Sequence, residues 1–133
     1  MIGKLVTVNT RIGLGGLKLV FTDGEETTLM QTKLAEAEPE ITLPIDDPQD
    51  IRAIAVGIFR GTELEGLKFY NTEEATDPFF DQVWANPVRG AFTEPQIIPE
   101  GFSIVGIQAN RFADNYIRAV SFIIAPEVIA FTN

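Results

Sequence analysis

A chain of 133 residues that is 45% hydrophobic and 22% charged is long enough to bury a core and too apolar to remain disordered. Its net charge of −9, from 19 acids against 10 bases, repels phosphate backbones and anionic lipid heads, which argues against nucleic acid as a partner. Cys and His are both absent, which removes disulfides, thiolate chemistry, the Ser–His–Asp triad and the usual zinc ligands.

Taken in chain order, Pro and Gly punctuate short runs rich in β-branched and aromatic residues, and each run reads as a strand. The expected strands are 4–9, 16–22, 27–33, 40–44, 51–59, 66–71, 79–85, 90–98, 103–109 and 116–125, with a last one over 128–131. In "LKLVFTDG", Leu17, Leu19 and Phe21 alternate with Lys18, Val20 and Thr22, the pattern of a half-buried strand. In "IRAIAVGIF" both alternating sets are largely apolar, which predicts a strand covered on both faces. Only 30–38, "MQTKLAEAE", has the propensity for a turn or two of helix. No apolar run approaches the ~20 residues of a membrane helix, no signal peptide is evident, and no linker divides the chain. The expectation is one all-β domain over 1–133 without membrane insertion.

Three segments repeat a strand–polar loop–strand phrase: "LVTVNTRIGLGGLKLVFTDG", "IAVGIFRGTELEGLKFYNTE" and "SIVGIQANRFADNYIRAVSFII". Leu17, Leu67 and Ile117 are read as matching positions, with one extra residue in or beside the third loop. Further strand pairs lie between the hairpins. Three such units suit a closed, pseudo-threefold arrangement in which each sheet forms one wall of a shared core. Leu19, Phe21, Ile58, Phe69, Ile104, Ile107 and Phe122 are expected inside.

The order and spacing of "GLKLVFTDGEET", "EITLPIDDPQDIRAIAVGI", "GLKFYNTEEATDPF" and "IIPEGFSIVGI" resemble the jacalin-related lectins. The resemblance implies the β-prism I fold, with three four-stranded Greek-key sheets about a pseudo-threefold axis. It implies non-catalytic carbohydrate binding at hairpin tips, with glycans or glycoproteins as partners and several sites in a homo-oligomer or larger assembly. No cofactor or metal is implied.

The family's glycine-x-x-x-aspartate loop is only partly matched. In the third unit the pattern falls on Arg111 and Asn115 if the extra residue precedes the acid, or on Asn110 and Asp114 if it follows, and neither version has the glycine. Asp114 is the expected hydroxyl acceptor, with Asn110, Arg111 and Asn115 as polar neighbours and Phe112 or Tyr116 as a stacking surface. The second unit keeps Gly61 but places Glu65 where the aspartate stands, and the first offers a glycine-rich loop of Gly13, Gly15 and Gly16 without an acid. Asp and Asn at a hairpin tip also serve simply as turn residues. "DDPQD", Asp46–Asp50, reads as a solvated turn because it lacks the glycine and terminal Glu of a calcium loop. Trp84 reads as packing. Glu63 with Glu65, and Asp77 with Asp81, read as chance pairs in an acidic chain, not as a glycosidase dyad. The alternative function is a structural or assembly module that keeps the prism and has lost the sugar site.

Overall fold

The computed structural model describes residues 1–10, 13–34, 37–59, 63–84 and 90–127. The strands are β1 (Ile2–Asn9), β2 (Leu14–Phe21), β3 (Glu26–Met30), β4 (Ile41–Pro44), β5 (Ala53–Phe59), β6 (Glu63–Tyr70), β7 (Phe80–Val83), β8 (Ala91–Phe92), β9 (Gln96–Ile97), β10 (Phe102–Phe112) and β11 (Tyr116–Pro126). Among the described residues a single 3-10 turn covers Pro48–Asp50. The protein is all-β, as its punctuation and alternation predict. The segment read as a possible helical turn forms no helix among the described residues, and the expected strand at 128–131 lies outside them.

All pairings are antiparallel and fall into three sheets. The first has the order β3-β2-β1-β4, and the second repeats it as β7-β6-β5-β8, with β9 also on β5. Among the described residues the third holds only β10 and β11. The expected strand at 90–98 is broken into β8 and β9. Pro95, between them, has no N–H to give the ladder. Thr93 intervenes as well, its N–H donating to Val56 O at 2.8 Å while its Oγ1 accepts the Val56 N–H at 3.1 Å.

The three hairpins share one register. Leu5 faces Leu19, Ile54 faces Phe69, and Ile107 faces Phe122. Nearer the tips, Val8 faces Gly16, Gly57 faces Gly66, and Asn110 faces Ala119. Each second strand then carries one unpaired residue, at Gly15, Glu65 and Arg118 respectively. This bulge reverses the inward and outward parity of everything beyond it. The pairing register corrects the expected match of Ile117 with Leu17 and Leu67. Val120 occupies that place, and Ile117 is the counterpart of Leu14 and Leu64. At the opposite end, Ile2, Ile51 and Ile104 recur, each 4% exposed.

One apolar core joins the sheets, drawing Leu5, Leu14 and Leu19 from the first, Ile54, Leu64 and Phe69 from the second, and Ile104, Ile107 and Ile117 from the third. Burying each such side chain contributes about 1.5–3 kcal/mol. The second hairpin strands β2, β6 and β11 touch one another pairwise, so the core lies between all three sheets. Phe69 anchors it, with its ring 5.0 Å from Phe80 and 6.2 Å, edge-on, from Phe122. Of the expected core residues, Leu19, Phe69, Ile104 and Ile107 are buried, whereas Phe21, Ile58 and Phe122 are half-buried against the cluster. The two-faced burial expected of β5 is present. Ile54 enters the main core, while Ala53 and Ala55 pack with Tyr70, Ala75 and Phe92 on the other side.

Candidate functional site at the hairpin tips

Described residues that flank the three hairpin tips touch one another at one end of the molecule. In the first tip, Thr10 donates its N–H to Gly13 O at 2.8 Å, and its hydroxyl accepts the Gly13 N–H at 3.2 Å. Gly13 abuts the start of β6, since a Cβ on it would lie 3.4 Å from Leu64 O. Gly15 is pressed between two threonines. A Cβ there would run into Thr10 Cγ2 and come within 3.0 Å of Thr32 Cβ. Thr32 then reaches the third tip, donating from Oγ1 to Asn115 O at 2.8 Å, while the Lys33 N–H donates to Asp114 O at 2.9 Å. First and second tips thus meet at Gly13 and Leu64, and first and third meet through Thr32.

The nominated residues have different fates at this end. Gly15 and Gly16 are buried, and a Cβ on Gly16 would sit 2.8 Å from Val8 Cβ. Their lack of a side chain lets neighbouring strands close up, so their amides are not presented to a ligand. Glu65 is the bulged residue of β6 and is 1% exposed, with Oε2 accepting the Gly90 N–H at 3.1 Å and its carbonyl accepting the Trp84 N–H at 2.6 Å. Its carboxylate is an internal acceptor, not the tip group its sequence position implies. Gly61 lies outside the described residues. Trp84 is buried in the core as packing, and among the described residues its indole N–H has no hydrogen-bond partner.

Among the described residues, the third tip presents polar chemistry outward. A turn closed by Asn115 N–H on Phe112 O, at 3.1 Å, holds Ala113 at φ +48° and exposes Asp114. The Asp114 carboxylate lies 3.4 Å from Lys33 Nζ, an exposed pair that adds little to stability. Asn110 is exposed on β10, and Asn115 is half-buried beside Asp114. Phe112 stacks on Tyr116 with centroids 5.3 Å apart and planes 18° from parallel, and Phe112 remains 48% exposed. The result is a shallow surface with one carboxylate acceptor, two amides and an aromatic face. It can accept hydroxyl protons and pack against C–H groups.

Thr32 and Lys33 escaped the sequence reading. Their contacts with the third tip span most of the chain, and no local pattern marks such a bond. Asp46, Asp47 and Asp50 stand exposed around the 3-10 turn, and no group of three or more acids fit to hold a metal occurs among the described residues. No helix is long and apolar enough to cross a membrane among the described residues. No family model, no curated protein and no solved structure matches the chain.

Proposed function

We propose that the chain is a β-prism module of the jacalin-related type that binds carbohydrate, without catalysis, through the tip of its third hairpin. The common register of the hairpins, the two sheets of matching order and the core shared by three sheets support the prism. The observation that carries the binding reading is the meeting of the tips where Asp114, Asn115 and the exposed Phe112 face outward together. The site is narrower than the family pattern implies, because Gly15, Gly16 and Glu65 are enclosed. A single shallow site of this kind binds near millimolar, about −4 kcal/mol, and useful strength comes from several copies on one glycan surface.

The same enclosure favours a second reading, in which the prism is kept for protein contacts and the sugar site is gone. A glycan array followed by NMR titration separates the two. Binding that disappears in Asp114→Asn, with shifts confined to 110–116 and 32–33, supports the lectin reading. Absence of binding to any neutral glycan removes it.

A further inference from the structure

The outer faces of the two larger sheets carry the same fixture in two states. In the second sheet, Gly57 and Gly66 face each other across β5 and β6, and the ring of Phe92, from β8, lies over both. A Cβ on Gly66 would strike Phe92 Cζ, and one on Gly57 would lie 3.4 Å from Phe92 Cε1. Lys68 Nζ caps the ring, 4.1 Å from its centroid. The ring packs there with Ala53, Ala55 and Tyr70.

The shared register places Val8, Gly16 and Lys18 of the first sheet at the positions of Gly57, Gly66 and Lys68. Glu40, the residue before Ile41 of β4, stands beside Val8 where Phe92 stands beside Gly57. A carboxylate thus replaces the ring, and the space is left as a pocket of about 190 Å³. Val6, Val8 and Gly16 line its floor, and Lys18, Thr28 and Glu40 line its rim. None of the described residues lining it is aromatic. Lys18 leans instead to Glu26, with Nζ 3.6 Å from Oε2. The connection from β3 to β4 is fastened beyond the pocket, toward the tips, where Ala37 N–H donates to Leu34 O at 3.3 Å and Glu38 N–H to Asn9 O at 2.9 Å.

We propose that this pocket takes one aromatic side chain of a partner protein, presented by a basic segment. Three observations choose that occupant. The second sheet shows what the fixture holds, a ring capped by a lysine, and Lys18 is placed to cap a ring in the same way. Size sets the source of the ring. A cavity of about 150 Å³ holds benzene and small-molecule sites usually exceed about 300 Å³, so about 190 Å³ fits one ring and little more. One aromatic side chain seated in such a pocket is the common anchor of a protein–protein contact. Charge sets the flanks of the ring. Glu26 and Glu40 stand exposed beside the pocket on a chain of net charge −9, which favours Lys or Arg on either side of the aromatic residue. The contact uses no residue of the third tip and does not depend on glycan binding.

Short peptides are the probes, and the methyl NMR signals of Val6 and Val8 are the readout. The peptide Gly-Lys-Phe-Lys-Gly is expected to shift both sets of signals. The same peptide with Ala for Phe, or with Glu for both Lys, should bind at least about tenfold more weakly. Glu40→Phe fills the pocket from within the chain, as Phe92 does in the second sheet, and should abolish the shifts while the rest of the spectrum keeps its folded dispersion. Equal binding of the Phe and Ala peptides overturns the ring pocket, and equal binding of the Lys and Glu peptides overturns the basic partner. N-acetylphenylalanine amide that binds as tightly as the peptide overturns the protein source in favour of a small aromatic ligand. The proposal also falls if no peptide shifts Val6 and Val8, if only a neutral monosaccharide does, or if the shifts persist in Glu40→Phe.

Discussion

Glu65 and Asp114 are both carboxylates at hairpin ends, and their surroundings separate their roles. Glu65 is enclosed and accepts a backbone N–H from Gly90. Glu65→Ala should therefore cost about 1–3 kcal/mol, because the half-buried Gly90 N–H loses its acceptor and the enclosed side chain is cut away. Urea unfolding midpoints measure this, and an unchanged midpoint would show that water replaces the carboxylate. Asp114 returns to solvent when its partner is removed, so Asp114→Asn should leave stability within about 0.5 kcal/mol. If the tip binds glycans, the same change should weaken binding more than tenfold, since a charged hydrogen bond is worth roughly 1.5–3 kcal/mol. The residue types at the tips were legible in the sequence, but their exposure was not. An acid beside a turn looks the same whether the bulge turns it in or out, and Glu65 is itself the bulged residue.

At the scale of the element, strand existence was legible and register was not. Alternation with period two announces a strand, but a bulge breaks that period without leaving a mark in composition. Ile117 and Val120 both face the core, although strict alternation forbids it, because Arg118 intervenes unpaired. The corrected equivalence has an energetic consequence. Leu14, Leu64 and Ile117 occupy the same place in three hairpins and are each fully enclosed. Leu14→Ala, Leu64→Ala and Ile117→Ala should each cost about 2–5 kcal/mol. Ile123→Ala, at an exposed position on the other face of β11, should change stability by no more than about 0.5 kcal/mol. Thermal melts of the four variants check this. A costly Ile123→Ala with a harmless Ile117→Ala would reverse the assigned parity of β11.

At the scale of the whole molecule, a net charge of −9 opposes contact between copies. Raising salt from 0.1 M to 1 M shortens the screening length from about 10 Å to about 3 Å. Any association between copies should therefore strengthen with salt, seen as a rising sedimentation coefficient. Association that weakens with salt would point to paired charges at the contact instead. The all-β class and the repeated hairpin were readable because they rest on local pattern. The meeting of Gly15, Thr32 and Asn115 was not, because it depends on how distant segments dock. The same division between near and far pairings sets an order of events in time. The hairpins β1–β2, β5–β6 and β10–β11 close short loops, whereas Leu5 must wait for Leu43, and Ile54 for Gln96, across much longer ones. Loop closure makes the second kind of pairing slower, so the hairpins belong to the folding nucleus and β4 and β9 join after the barrier. Leu43→Ala should then speed unfolding and leave refolding nearly unchanged, while Leu19→Ala should slow refolding, a contrast that the two arms of a stopped-flow chevron resolve.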